Sequence, residues 1–185
     1  MRRAVFIDRD GVVNDMIDRG QGFFVVGKEV RFTAPYNLVE FRIKPNIPKA
    51  LTLMGKMDLL RILVTNQPDL VYGMITKEDY NNIMAQVRGL GFDDIFVCYH
   101  DRDAGCECRK PKAGMLLAAA EKWNIDLGRS YMIGDTENDM LAGQAAGCKT
   151  VLIRTDYNVG VICNYAANNL LLAAKMITHM EKGGV

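Results

Sequence analysis

The chain reads as an α/β protein of three layers around a parallel central sheet, and three observations predict it. Short apolar, β-rich runs recur at Ala4–Ile7, Leu60–Val64, Ile95–Cys98, Tyr131–Ile133 and Thr150–Ile153. Few of these runs alternate polar with apolar residues, which suits strands buried on both faces, as parallel strands are. The segments between them carry apolar residues at helical spacing, and strand alternating with helix is the mark of βαβ units.

Taken in order, the first run ends at Asp8, and the regular pattern then lapses between Asp15 and Phe41. There Gly20, Gly22 and Gly27 punctuate the apolar pairs Phe23-Phe24 and Val25-Val26. A small hairpin and a long loop fit this stretch. Directly after the first strand, an open α/β sheet builds over its ligand crevice, so segment 15–41 is either a flap or an ordinary surface loop. A helix follows Pro45-Asn46, with Ile47, Ala50, Leu51 and Met54 at i, i+3, i+4 and i+7. After the second run, Thr76 and Asp79 form a capping-box-like pair ahead of Tyr80, Ile83, Met84 and Val87, and Gly89 and Gly91 end that helix. Further helices are expected over Gly114–Trp123, Thr136–Ala146 and about Ala166–Met180. About five parallel strands result.

Composition narrows the class. With 185 residues, 49% hydrophobic and 24% charged, the chain is expected to form a single domain, 1–185, and is unlike disordered, collagenous or coiled-coil proteins. Lys and Arg exceed Asp and Glu by one, for a net charge of +1, so the electrostatic footprint of a nucleic-acid binder is missing. No apolar run approaches the ~18 residues of a membrane span. Asp8, Arg9 and Asp10 interrupt what could pass for a signal-peptide core. The expectations are no nucleic acid, no membrane, a cytoplasmic location and, with no long exposed apolar stripe, a monomer.

The chemistry gathers at predicted strand ends. Asp8 and Asp10 lie just past the first strand, with Gly11 to turn the chain. Two carboxylates so placed are costly unless a positive charge sits between them. Gly134-Asp135-Thr136-Glu137-Asn138-Asp139 follows a later strand in the same way. Parallel strands open onto one edge, so Asp8, Asp10 and Asp135 converge on a hard cation such as Mg²⁺ that binds a substrate phosphate. Asp139 either supports that site or sits on a solvated helix. Thr65-Asn66-Gln67 ends another strand, and Arg109-Lys110-Pro111-Lys112 adds positive charge. A hydroxyl, an amide and a cation are what phosphoryl oxygens require.

Cys98, His100, Cys106 and Cys108 crowd into eleven residues. Three thiolates and an imidazole make a complete tetrahedral set for Zn²⁺, and with no position left for water such a site is structural. Its loop, 98–108, directly precedes Arg109-Lys110 and would hold those side chains in place. Cys148 and Cys163 read as small core residues, and His179 as a surface residue.

In order, Asp8-Arg9-Asp10-Gly11, Thr65-Asn66-Gln67, Arg109-Lys110-Pro111-Lys112 and Gly134-Asp135 with Asp139 resemble the four motifs of the haloacid dehalogenase (HAD) superfamily of phosphotransferases. The match runs from about Phe6 to Arg154. With the Cys/His cluster, the set resembles the subgroup of sugar bisphosphate and histidinol-phosphate phosphatases. The resemblance implies a Rossmann-like HAD fold with a minimal cap and a Mg²⁺-dependent phosphomonoesterase acting on a small phosphorylated metabolite. It makes Asp8 the nucleophile that becomes an aspartyl-phosphate, and Asp10 the acid and base. Asp8, Asp135 and the carbonyl of Asp10 would hold Mg²⁺. Thr65, Asn66 and Lys110 would hold phosphoryl oxygens, and Arg109 would reach the substrate.

Within the subgroup, the standalone chain and the stretch Gly134–Thr155 favour a heptose bisphosphate, whereas the short zinc loop is closer to the histidinol-phosphate enzymes. Pro68-Asp69 and Tyr72 depart from the subgroup's usual residues. A reading of another class is a zinc-containing binding or scaffold module without activity, which the full set of phosphoryl-transfer residues speaks against.

Overall fold

A computed structural model describes residues 1–183. Six parallel strands form the central sheet: β1 (Arg3–Ile7), β6 (Leu59–Asn66), β7 (Asp94–Cys98), β8 (Tyr131–Gly134), β9 (Lys149–Ile153) and β10 (Tyr165–Ala167), in the order β10-β9-β8-β1-β6-β7. Five were expected. The sixth, β10, lies where the helical reading had begun at Ala166; it pairs Tyr165 with Val151 and Ala167 with Ile153 at the sheet edge. The last helix, α5 (Leu170–Glu181), starts only after it, where the Asn169 side chain accepts from the backbone N–H of Leu172 at 3.0 Å. The helical spacing of Leu170, Ala173, Ala174 and Ile177 is real, but it does not extend back through Ala166.

Along β1, Val5 and Ile7 pack with one core while Ala4 and Phe6 pack with the other, because successive side chains on a strand point to opposite faces. One core receives α1 (Ile47–Gly55), α2 (Lys77–Arg88) and α5, and the other α3 (Gly114–Trp123) and α4 (Glu137–Ala145). Helix α1 buries the expected Ile47, Ala50, Leu51 and Met54. At the start of α2 the Thr76 hydroxyl accepts from the Asp79 backbone at 3.0 Å and donates to its carboxylate at 2.8 Å, the pairing expected from sequence.

Segment 15–41 forms antiparallel pairs. The outer pair joins β2 (Ile17–Asp18) to β5 (Phe32–Thr33), and the inner joins β3 (Phe24–Val25) to β4 (Lys28–Glu29). Val26 and Gly27, with φ of 47° and 70°, close the inner turn, as the right-handed twist of a two-residue hairpin requires. Arg19 clamps the base through two 2.7 Å bonds to Glu40.

The chain runs outward from β1 through β6 to β7, then returns to the far side of β1 at β8. This reversal places a crevice at the carboxyl ends of β1 and β8, where ligands of open α/β sheets bind. Ile7 is in register with both Leu63 and Ile133, so Asp8, Asn66 and Asp135 all emerge at the carboxyl edge of the sheet. Among the described residues no helix is long and apolar enough to cross a membrane.

Candidate active site and metal centres

The crevice is a cavity of about 380 Å³ whose walls include Asp8, Asp10, Asn66, Lys110, Asp135 and Asp139. The hairpin of the flap region, 15–41, adds Phe32 and Thr33 to its lining. Oxygens of Asp8, Asp135 and Asp139 lie within 4.8 Å of one another, all three residues buried. Lys110, 3% exposed, reaches among them: its Nζ is 2.8 Å from Asp8 Oδ1, 2.5 Å from Asp139 Oδ1, and donates to the Val64 carbonyl at 2.9 Å. Three carboxylates ionised together against one ammonium would leave two negative charges in a buried place.

The physical consequence is seen in their acidities. Burial, offset in part by Lys110 and reinforced by Asp139 and Asp10, pushes Asp8 up to about 7. Burial, with Asp139 and Asp8, raises Asp135 well above the usual carboxylate range. A divalent cation would reverse that penalty. Among the described residues Asp135 Oδ1 is buried without a hydrogen-bond partner, and an orphaned carboxylate oxygen in an acidic pocket suits a hard cation such as Mg²⁺. The residues fit the ion.

Asp139 is fully buried, which removes the solvated-helix reading. Its Oδ2 accepts from the backbone N–H and hydroxyl of Thr136, at 3.0 and 2.6 Å, capping α4, while Oδ1 meets Lys110. Gly134 makes room for it, since a Cβ there would run into the Asp139 side chain.

The Asp10 carboxylate, on the wall of the same cavity, is held by several donors. Arg9, wholly buried, gives it Nε at 3.1 Å and Nη2 at 2.9 Å; Asn14 donates at 3.0 Å and Gln67 at 2.7 Å. Arg9 and Gln67 stand within the sequence motifs, but no role was assigned to them from sequence. The Thr65 hydroxyl accepts from Gln67 at 2.9 Å. The Asn66 side chain clasps the backbone of Lys110, donating to its carbonyl at 3.0 Å and accepting from its N–H at 3.1 Å, so it positions the lysine as well as lining the cavity.

Arg109 donates to the His100 carbonyl at 3.1 Å and borders both this cavity and a neighbouring one of about 450 Å³, whose lining includes Lys28, Arg102 and Lys112. Arg102 donates to the Val25 carbonyl of the hairpin at 3.2 Å, and its backbone N–H to the Tyr72 hydroxyl at 3.0 Å. Tyr72 thus docks the 98–108 loop. Asp69, half-buried on the cavity wall, is pushed up to about 6 by burial and by Asp10, against the pull of Arg9, Arg109 and Arg19.

In the second cluster Cys98 Sγ lies 3.7 Å from Cys106 Sγ and 3.6 Å from His100 Nδ1; Cys108 Sγ lies 3.6 Å from Cys106 Sγ and 3.2 Å from His100 Nδ1. Four ligands set tetrahedrally at ~2.3 Å from one centre stand ~3.8 Å apart, so the four residues fit zinc. Burial and the adjacent sulfurs push Cys108 up to about 12, a cost that a bound cation removes. Cys148 is buried in the second core, as expected, whereas Cys163 is only partly buried.

Sequence reasoning passed over residues 155–158. The Tyr157 hydroxyl donates to Asp135 Oδ2, and the Asn158 side chain donates to the backbone carbonyls of Asp135 and Ile153, both at 2.8 Å. No motif or periodicity marks them. Only their meeting with Asp135 in space reveals them.

Comparison with known proteins places these features. The HAD-hydrolase-like family model matches residues 107–160. The chain is 32% identical to the D-glycero-β-D-manno-heptose-1,7-bisphosphate 7-phosphatase of Pasteurella multocida, covering 99% of this chain and 98% of that protein. It is 35% identical to the enzyme of the same name from Helicobacter pylori strain J99, covering 83% of each. Among solved structures it is similar to a D,D-heptose 1,7-bisphosphate phosphatase from B. bronchiseptica, complexed with magnesium and phosphate, with a TM-score of 0.80, 28% identity, and 96% of this chain and 99% of that one covered.

Proposed function

Because the chain belongs to the HAD-like hydrolase family of the heptose-1,7-bisphosphate 7-phosphatases, and is thereby a phosphoric monoester hydrolase, we propose that it removes the 7-phosphate of D-glycero-D-manno-heptose 1,7-bisphosphate. The observation that carries this reading is the buried trio Asp8, Asp135 and Asp139 around Lys110, opening on a cavity beside a second, cation-lined one. The first cavity suits the reacting phosphoryl group. The second, with Lys28, Arg102 and Arg109, suits the phosphate that stays.

Asp8 attacks phosphorus, the bond from phosphorus to the sugar oxygen breaks, and Asp10 delivers a proton to the departing alkoxide. Water then attacks the aspartyl-phosphate, Asp10 takes its proton, and phosphate and free Asp8 are regenerated. The donors from Arg9, Asn14 and Gln67 fix Asp10 for both transfers. Lys110, held by Asn66 and Asp139, directs positive charge at Asp8 and at the phosphoryl oxygens, with Thr65 and Asn66 beside it and Arg109 turned toward the rest of the substrate. Mg²⁺, held by Asp8, Asp135 and the carbonyl of Asp10, supplies charge neutralisation when bound. Cys98, His100, Cys106 and Cys108 would hold Zn²⁺, which would fix the loop that presents Arg109 and Lys110.

Histidinol phosphate is the second reading, favoured by the unpaired Asp69 carboxylate on the cavity wall, which suits an ammonium group. Phosphate release with Mg²⁺, measured side by side on the two substrates, separates them. The expected result is a higher kcat/KM for the heptose bisphosphate; a preference for histidinol phosphate overturns the assignment.

A further inference from the structure

Asp135 uses its two oxygens differently. Oδ2 accepts the hydroxyl of Tyr157, while Oδ1 is buried and has no partner among the described residues. A carboxylate with one oxygen tied cannot rotate about its last torsion without losing that bond, so Oδ1 is held in one orientation, in a carboxylate that brings an oxygen within 4.8 Å of oxygens of Asp8 and Asp139. Tyr157 is itself held from two directions. The Asn158 side chain pins the following backbone to Asp135 and Ile153 and accepts from the Thr155 N–H at 3.0 Å. On the other side, the ring packs against Phe32 of the flap, centroids 4.8 Å apart at 41°. Gly11 completes the enclosure: with φ +82°, it lies where a Cβ would come within 2.9 Å of the Tyr157 hydroxyl and run into the Asp135 carboxylate.

We infer that Tyr157 is a positioning residue: it fixes Asp135 as a one-oxygen ligand for the divalent cation and, through Phe32, links that ligand to the seating of the flap. The inference rests on the metal-site reading above. Its chemistry is that of an outer hydrogen bond orienting a metal ligand, and removal of such a partner typically lowers metal affinity about 10–100-fold. Tyr157 thus ties two regions with its two ends, the hydroxyl meeting Asp135 and the ring packing on Phe32 of the flap.

The test is Tyr157→Phe, which keeps the ring against Phe32 and removes only the hydroxyl. Mg²⁺ binding to the full chain is measured by titration calorimetry with no substrate or phosphate present. The expected result is an affinity weaker by roughly 10-fold or more, with the Mg²⁺ concentration for half-maximal phosphate release raised by the same factor. Melting in buffer without Mg²⁺ should match the parent while the rise on adding Mg²⁺ shrinks, a split that a merely structural tyrosine would not produce. Equal Mg²⁺ affinity in parent and variant overturns this inference alone. A parent that does not bind Mg²⁺ overturns both it and the metal-site reading. Should Tyr157→Phe melt early without metal, Phe32→Leu carries the test. A several-fold weaker Mg²⁺ affinity there supports the link through the flap, and an unchanged one overturns it.

Discussion

The Cys98, His100, Cys106 and Cys108 cluster draws its four side chains from eleven consecutive residues, whereas the carboxylate centre takes Asp8 from the end of β1 and Asp135 and Asp139 from beyond β8. The first is a local clip on a partly exposed loop. The second exists only because the sheet sets β1 beside β8 in register. Their chemistry differs in the same sense. Soft thiolates around one point close a coordination shell, while hard carboxylates with an orphaned oxygen and an adjoining cavity leave room for a substrate. A site that must exchange ligands is assembled from distant rigid elements, and a site that must only hold is built within one loop.

The largest effect expected is on Asp8. Asp8→Asn should lower phosphate release by at least on the order of 10⁴-fold with the fold intact by circular dichroism; substantial turnover in that variant would put the nucleophile elsewhere. Lys110→Met comes next, because it leaves Asp8 and Asp139 buried without their cation. Urea unfolding should show a loss of about 3–5 kcal/mol, and a loss below that would mean that water already screens the centre.

Breaking the sulfur cluster tests the other side of the comparison. Cys106→Ser should remove zinc, counted per chain by elemental analysis, and lower the melting temperature by ~5–10 °C. Its activity should fall far less than that of the Asp8 variant, since no reacting atom is touched. A protein that carries no zinc as purified would contradict the assignment.

The smallest effect belongs to a pair outside both centres. The bidentate bond from Arg19 holds Glu40 below the usual carboxylate range despite some burial. A depressed folded-state value stabilises above the unfolded pKa of ~4.3 and is lost as pH falls through the folded value. Glu40→Gln should therefore cost about 0.5–1 kcal/mol at pH 7 and nothing near pH 2, read from denaturation at the two pH values.

Legibility in the sequence followed the range of the interaction. Five strands were readable because Val5, Phe6, Leu63, Val64 and their like form short apolar runs. Strand β10 was not, since Tyr165-Ala166-Ala167 carries little strand propensity and gains its identity only by pairing with β9. Thr76 with Asp79 was readable because a cap is settled within one turn. Asp139 was not, because the choice between a solvated helix and a buried partner of Lys110 depends on an element 29 residues away. Asn66 stood in a recognisable motif, yet its grip on the Lys110 backbone needed β6 and the loop after β7 to meet.

By itself the sequence determined the class of fold, the residue types at the strand ends and the four members of the sulfur cluster, because hydrophobic period, turn chemistry and close spacing are local properties of a chain. Only the tertiary structure decided that three carboxyls crowd around Lys110, that Asp10 is turned toward Arg9 and Gln67, and that Tyr157 holds one oxygen of Asp135 and leaves the other free. Burial, charge balance and the direction of a hydrogen bond are properties of the surroundings, and the surroundings of these residues come from segments that meet only when the sheet is complete.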